Sequence, residues 1–290
     1  MKIDLALRID SEVGEGPVWD QDENVLVWID VTKGLVHRFN PETGVNSSLE
    51  VGTHIGAIAL RDSRSYLAAV RDGFANIDKS SGEIEYLAKV LTDAETRFND
   101  GKCDPYGNFI AGTMRYEPKP NTAALYSYDR TGKVKTILTG IGLSNGLCWD
   151  DSGKSFFYID TLTNQIARFE YDGEAGIVSA KQVIYQVEGG GSPDGMTIDL
   201  EGNLWVALWG GSRVICIEQS GRLLRELAMP VSQPTSVIFG GANLDLLYIT
   251  SANYLLSSQE LASQPLAGSL FVADVGATGR AEPIFALKNG

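Results

Sequence analysis

The stretch GPVWDQDENVLVWID, residues 16–30, contains the pattern that organises the whole chain. A short apolar run closes at Asp20, a polar turn follows, and a second apolar run ends at Asp30. Short runs of β-branched and aromatic residues bounded by polar turns are typical of β-strands. The stretch therefore predicts two antiparallel strands joined by a tight turn.

The same unit recurs five more times in the 290-residue chain. It returns as GAIALRDSRSYLAAVR at 56–71, DGKCDPYGNFIAGTM at 100–114, NGLCWDDSGKSFFYID at 145–160, DGMTIDLEGNLWVAL at 194–208 and TSVIFGGANLDLLYIT at 235–250. The first run of each unit closes at Asp20, Arg61, Asp104, Asp150, Asp199 and Gly240, which are 41, 43, 46, 49 and 41 positions apart. Periods of about 40–50 residues with four strands each are typical of the blades of a β-propeller.

Further strands complete these units. Third strands are predicted at residues 35–39, 124–128, 166–170 and 213–217, each followed by a turn that contains glycine. A fourth strand then closes the unit, for example at 135–138, and only residues 257–262 indicate a short helical turn.

Residues 2–9 lie outside the six units. We expect them to pair with the last blade and close the ring, because an open ring would expose the edge of a sheet. The sequence thus predicts an all-β fold: a six-bladed β-propeller with four antiparallel strands per blade, closed by the N-terminal strand, forming one domain over residues 1–290.

The composition excludes several classes of protein. With 43% hydrophobic and 21% charged residues, it is that of a globular chain. A net charge of −13 argues against binding nucleic acid or an anionic membrane surface, and suits cations or small neutral ligands. No window approaches about 18 apolar residues, and charges interrupt the N-terminus. We therefore expect no membrane span and no signal peptide, but a cytoplasmic monomer or weak homo-oligomer.

One position of the repeat carries chemistry. The residues five positions before the six anchors are Glu15, Gly56, Asn99, Asn145, Asp194 and Thr235. The innermost strand of every blade lines the central channel of a propeller, so equivalent positions should form a ring around its axis. The alternative interpretation is that Asn-Gly and Asp-Gly pairs here are turn residues that cap the inner strands.

Two carboxylates at one axis repel each other unless a positive charge lies between them. Ca²⁺, Mg²⁺ and Mn²⁺ take carboxylate and amide oxygens, whereas Zn²⁺ and Fe²⁺ are less expected without histidine. Glu15, Asn99, Asn145 and Asp194 therefore predict a site for a divalent cation. Arg97 should lie on the same side of an extended segment as Asn99, where it could hold a substrate oxygen; alternatively it pairs with a surface carboxylate.

Several segments resemble the family of senescence marker protein (regucalcin), gluconolactonase and related sugar lactonases. They are GEGPVW at 14–19, RFNDGK at 97–102, AGTM at 111–114, SNG at 144–146 and PDGM at 193–196, in order along nearly the whole chain. The family fold is a six-bladed propeller. The resemblance implies a divalent metal held by Glu15, Asn145 and Asp194, and substrate contacts from Arg97, Asn99 and Glu117. It leaves open whether Asn99 also reaches the metal.

The resemblance also implies an activity, the hydrolysis of an aldonolactone such as gluconolactone, xylonolactone or arabinonolactone. Arg115 and Tyr116 differ from the small and acidic residues of the family beside Glu117, in a loop that tends to set substrate preference. The metal would polarise the lactone carbonyl, and Asp194 is the candidate general base.

No GxSxG motif is present and the chain has two histidines, so we favour direct attack by water over an acyl-enzyme. Two alternatives stay open: a non-catalytic propeller that binds a metal or another ligand, and a hydrolase of another ester or of a phosphotriester. The metal is not identified among Ca, Zn, Mn, Mg and Fe(II).

Overall fold

A computed structural model describes residues 2–285, and nearly all of their regular structure is β-strand. Six antiparallel sheets of four strands each are arranged as a six-bladed β-propeller, which confirms the predicted fold. The first strand of each sheet packs against the first strands of its two neighbours, so these six inner strands surround the central channel. No helix in residues 2–285 has both the length and the apolar character that crossing a bilayer requires.

The blades follow the chain in order, from the inner strand to the outer one. Blade one contains β2 (Gly14–Asp20), β3 (Val25–Asp30), β4 (Leu35–Phe39) and β5 (Asn46–Glu50). Blade two contains β6 (Ile55–Leu60), β7 (Ser65–Val70), β8 (Gly73–Asp78) and β9 (Ile84–Lys89). Blade three contains β10 (Thr96–Cys103), β11 (Phe109–Arg115), β12 (Ala123–Tyr128) and β13 (Val134–Ile141).

The second half of the ring repeats this order. Blade four contains β14 (Ser144–Trp149), β15 (Ser155–Asp160), β16 (Gln165–Asp172) and β17 (Ile177–Gln186). Blade five contains β18 (Ser192–Ile198), β19 (Leu204–Trp209), β20 (Arg213–Ile217) and β21 (Leu223–Ala228). Blade six contains β22 (Pro234–Gly240), β23 (Leu246–Ser251), β24 (Leu270–Asp274) and β1 (Ile3–Leu7). One short helix, α1 (Ser258–Ser263), lies between β23 and β24.

Strand β1 closes the ring, as predicted. It runs antiparallel to β24, with Ile3 opposite Ala273 and Leu5 opposite Phe271. The first strand of the chain is therefore the outer strand of the last blade. Because this pairing joins the two ends of the fold, the ring cannot open without breaking the hydrogen bonds between β1 and β24.

The core lies between neighbouring blades. Every residue of β3 is buried, whereas β17 near the outer rim is mostly exposed. Contacts between aromatic rings cross the blade boundaries: Phe74 of blade two lies 5.0 Å from Phe98 of blade three, measured between ring centroids. Each sheet packs against a neighbouring sheet on both of its faces. Its inner strands are therefore apolar on both sides, which explains the continuous apolar runs in the sequence.

Each inner strand contains one irregularity of register near its amino end. The breaks in strand pairing fall at 15–18, 55–57, 98–101, 145–147, 193–196 and 234–237. The six equivalent positions of the repeat lie at or inside these breaks. Bulges change the direction in which side chains point, and they occur often beside active sites. The interpretation of these residues as turn residues is wrong, because they lie within strands.

Candidate active site

Five of the six predicted site residues lie together at the amino ends of the inner strands. Glu15 belongs to β2, Arg97 and Asn99 to β10, Asn145 to β14 and Asp194 to β18. All are buried except Asn99, which is half-buried. Four different blades therefore contribute to one cluster, although up to 179 residues separate its members along the chain.

A chain of hydrogen bonds joins these blades. Arg97 Nη1 donates to Asn99 Oδ1 at 2.9 Å, and Asn99 Nδ2 donates to Asn145 Oδ1 at 3.1 Å. Asn145 Nδ2 in turn donates to Thr161 Oγ1 at 2.9 Å, and this hydroxyl donates to the Pro193 carbonyl at 2.8 Å. The chain ends beside Asp194, so one network fixes the side chains of blades three, four and five.

Thr161 contacts a predicted site residue and was missed by the sequence analysis. It follows β15 directly and accepts a hydrogen bond from Asn145, which fixes the orientation of that amide. With Nδ2 turned toward Thr161, the Oδ1 atom of Asn145 faces the other site residues. Thr161 follows the second run of its unit as Val31 does in blade one, and because the two residue types differ, the repeat could not point to it.

The two carboxylates of the cluster are electrostatically unfavourable in the absence of a cation. Burial and then the charge of Asp100 raise the pKa of Glu15 to about 8, although the Gly16 amide and Arg97 oppose this. Burial, followed by repulsion from Glu15 and Asp100, raises the pKa of Asp194 well above its usual range. A positive charge placed between two such acids would lower both pKa values.

The residues fit a hard divalent cation. Glu15 and Asp194 supply carboxylate oxygens and Asn145 supplies an amide oxygen, which are the donors that such cations prefer. Glu15 Oε2 accepts from the Gly16 amide at 2.8 Å, which leaves Oε1 available. Residues 2–285 contain no group of three or more His, Cys, Asp and Glu suited to a metal, so a complete ligand shell here must include amide oxygens and water.

Glu117 lies apart from the other predicted residues. Its side chain is 86% exposed and its Oε2 atom lies 3.7 Å from Lys119 Nζ, in the loop that follows β11. The structure therefore does not bring Glu117 to the cluster, and its contact with substrate stays a prediction.

Tyr116 and His54 form a second pair of residues that the sequence analysis did not assign. The Tyr116 hydroxyl lies 3.0 Å from His54 Nδ1, and the two rings meet edge to face at 5.6 Å. Burial, then the charges of Arg97 and Arg71, lower the pKa of His54, so its ring is neutral at pH 7. Tyr116 also influences the pKa of Arg97, which places this aromatic pair near the cluster. The unusual residues beside Glu117 were the only signal for it.

Comparison with known proteins identifies the family. Residues 13–253 match the profile described as the SMP-30/gluconolactonase/LRE-like region. The chain belongs to this family. The matched region of this SMP-30/gluconolactonase/LRE-like protein contains all six predicted site residues.

Individual relatives are similar over almost their whole length. Regucalcin of Danio rerio is 38% identical over 284 residues, covering 96% of each chain. The 6-deoxy-6-sulfogluconolactonase of Pseudomonas putida is 36% identical over 283 residues, covering 97% of each chain. A crystal structure of a calcium-binding protein, regucalcin of Agrobacterium tumefaciens, superposes with a TM-score of 0.93 at 26% identity, covering 98% of this chain and 97% of that one. The SMP-30/gluconolactonase/LRE-like chain is a lactone-hydrolysing enzyme.

Proposed function

We propose that the protein hydrolyses an aldonolactone, such as gluconolactone, xylonolactone or arabinonolactone, to the aldonic acid, and that it does so with one divalent cation. Glu15, Asn145 and Asp194 would hold the cation. The observation that carries this proposal is the close pair of buried carboxylates whose pKa values are raised in the absence of added positive charge.

Charge explains why a dication suits both binding and catalysis. Ionised Glu15, Asp100 and Asp194 beside the guanidinium of Arg97 leave a net charge of −2, which a dication neutralises. A dication held at such a buried site would stabilise the negative charge that develops on the carbonyl oxygen during hydrolysis. A bound divalent cation also supplies Lewis-acid polarisation of the lactone carbonyl.

Asp194 is the proposed general base. Its carboxylate accepts a proton from the water whose oxygen forms a bond to the carbonyl carbon. The bond between that carbon and the ring oxygen then breaks, and the proton is delivered to the ring oxygen, which leaves as a hydroxyl group. Water and lactone are thus converted into one hydroxy acid. Burial raises the pKa of Asp194 well above its usual range, and the hydrogen bond from Asn145 opposes this rise.

Arg97 and Asn99 are proposed to bind the sugar hydroxyls. Arg97 uses Nη1 to donate to the Phe98 carbonyl at 2.8 Å and to Asn99 at 2.9 Å. A guanidinium has five N–H donors, so Nε and Nη2 remain for substrate. Glu117 is proposed as a further substrate contact, which requires its loop to turn toward the cluster when the lactone binds.

The two histidines do not place a Ser-His pair at the cluster. His37 Nδ1 lies 2.8 Å from Ser48 Oγ, but this pair joins β4 to β5, the outer strand of blade one, away from the inner strands. His37 stacks on Trp28 at 4.3 Å between ring centroids, inside blade one, and burial lowers its pKa to about 4. His54 is hydrogen-bonded to Tyr116. Direct attack by water is therefore the proposed route.

A pH-stat assay on the three lactones tests this proposal. We expect turnover above spontaneous hydrolysis, loss of turnover after treatment with a chelator, and recovery when a divalent cation is restored. Equal rates before and after metal removal would contradict the cation. Binding of a cation without turnover of any lactone would favour the non-catalytic alternative, and faster turnover of aryl esters or phosphotriesters would favour the other hydrolase.

A further inference from the structure

The residues that follow β24 form a segment that we call the C-terminal strap, residues 275–285. The strap crosses the ring at the carboxyl ends of the inner strands, which is the face opposite the candidate active site. Gly279 N donates to the Leu244 carbonyl at 2.7 Å, and Phe285 N donates to the Leu60 carbonyl at 3.0 Å. Between these two points the strap also contacts blades three, four and five, through the pairs Glu282–Lys102, Arg280–Asp151 and Gly279–Asp199.

The end of the strap is anchored by Phe285. This side chain is fully buried, with its ring 5.6 Å from that of Tyr128 and the Arg61 guanidinium 5.7 Å from its centroid. Burial of a phenylalanine side chain contributes roughly 1.5–3 kcal/mol. The strap is therefore a fixed part of the fold rather than a loose tail.

One side chain of the strap reaches the interior of the channel. Glu282 Oε1 lies 3.1 Å from Lys102 Nζ, and each of the two side chains is only 16% exposed. Lys102 Nζ also donates to the Met196 carbonyl at 3.3 Å. Lys102 is in the same inner strand as Asn99, so the ion pair lies along the channel from the candidate site.

Asp100 connects the ion pair to the candidate site. A cavity of about 20 Å³, with space for roughly one water molecule, is lined by Asp100, Lys102 and Glu282 among others. Asp100 directly follows Asn99 in β10, and Lys102 lies two residues further along the same strand. Charges at the two ends of the channel therefore act on one another through a buried and poorly screened interior.

The effect of the ion pair on an incoming dication follows from the sum of the charges along the channel. The carboxylates are those of Glu15, Asp100, Asp194 and Glu282, and the cations are those of Arg97 and Lys102. With all six ionised, their net charge is −2, which one dication neutralises. Without Glu282 the net charge would be −1, and the ammonium of Lys102 would repel an incoming dication.

We propose that Glu282 and Lys102 are positioning residues that set the affinity of the candidate site for a divalent cation from the opposite end of the channel. Glu282 compensates the ammonium of Lys102, so that the carboxylates near the site remain available to the dication. This inference rests on the proposed function, because it concerns the same cation.

Titration of Ca²⁺ into metal-stripped protein by isothermal calorimetry tests the inference without measuring turnover. Glu282→Gln leaves Lys102 uncompensated, and we expect the Kd for Ca²⁺ to rise about tenfold. Lys102→Met removes the cation, and the Kd should fall about tenfold. In the double variant the net charge returns to −2, so the Kd should return close to that of the wild type.

Glu218→Gln is the matched control. It removes the same kind of charge from the ion pair with Arg222, whose side chain is 69% exposed and screened by solvent. We expect its Kd to stay within about twofold of the wild type, since exposed ion pairs act weakly. Circular dichroism checks that each variant is folded, and comparison of Glu282→Gln with Glu218→Gln tests the inference should Lys102→Met not fold.

The outcomes separate the two proposals. A wild-type protein that binds none of Ca²⁺, Mn²⁺ and Zn²⁺ would overturn both the cation of the proposed function and this inference. A wild-type protein that binds Ca²⁺, with Glu282→Gln and Lys102→Met weakening it alike or not changing it, would overturn the inference alone. A purely structural role of the strap predicts loss in both variants, whereas the charge argument predicts shifts of opposite sign.

Discussion

Removal of the divalent cation should make the stability of the protein depend on pH in a defined direction. In the metal-free fold burial raises the pKa of Glu15 to about 8, from an ordinary value of 4.5. The native state therefore holds a proton that the unfolded chain has released, and the free energy of unfolding decreases as pH rises toward 8. Below pH 8 Glu15 is protonated in the fold, and above it the buried carboxylate is charged.

The size of the decrease in the free energy of unfolding depends on the pH range that is compared. Below pH 6.5 His37 acts in the opposite direction, because burial lowers its pKa to about 4. Asp100, whose pKa burial raises to about 6, has largely titrated by pH 6.5. Between pH 6.5 and 8, at ~1.36 kcal/mol per pKa unit, Glu15 alone should cost the metal-free protein about 2 kcal/mol of stability. Asp194, whose pKa burial raises well above its usual range, acts in the same direction.

Urea unfolding at pH 6.5 and pH 8, with a chelator or with saturating Ca²⁺, measures this loss. We expect the loss with the chelator and its disappearance with Ca²⁺, because the bound dication lets both carboxylates ionise in the native state. The Glu15→Gln variant has no carboxyl group at this position, so its free energy of unfolding should decrease clearly less than that of the wild type. Glu117→Gln removes an exposed carboxylate and is the matched control, which should behave as the wild type does.

Two results would refute this reasoning. A metal-free wild type whose free energy of unfolding stays constant or increases between pH 6.5 and 8 would show that the pKa of Glu15 is not raised. A Glu15→Gln variant with the full wild-type loss would assign the pH dependence to other groups.

Three further predictions concern the proposed mechanism and the closure of the ring. Asp194→Asn should lower kcat about 10²–10⁴-fold while circular dichroism shows an intact fold, since it removes the general base; near-normal turnover would exclude Asp194 from that role. Arg97→Ala should raise KM for the lactone without raising the Kd for Ca²⁺, because it removes a substrate donor and a positive charge; equal weakening of both in calorimetry and kinetics would contradict this. Deletion of residues 2–8 removes β1 and exposes the edge of β24, so it should lower Tm and promote aggregation; an unchanged Tm would show that ring closure does not depend on β1.

The repeat made much of the fold predictable from the sequence. Apolar runs such as Val25–Asp30 recur at a period that suits only a few architectures, and the third strands at 35–39 and 213–217 have the predicted bounds in the structure. The third strand of blade two, Gly73–Asp78, was not assigned from the sequence. It contains glycine, alanine and asparagine, which favour strands weakly, and it is stabilised as a strand by its two neighbours.

The repeat also made the position of the candidate site predictable. Residues at equivalent positions of the inner strands must lie near the axis of the ring. Glu15, Asn99, Asn145 and Asp194 could therefore be grouped without coordinates. Only the spacing of these residues and their types were needed to group them. The structure added the register irregularity in each inner strand, which the sequence pattern does not reveal.

Other features depend on the tertiary structure alone. The hydrogen bond from Asn145 to Thr161, the pair of Tyr116 with His54, and the ion pair of Lys102 with Glu282 all join residues that no repeat relates. A periodic sequence determines which strands form and which positions face the axis, because these follow from local alternation and spacing. The contacts between side chains of different blades depend on how the closed ring and its C-terminal strap bring distant segments together. The local sequence carries no information about these long-range distances.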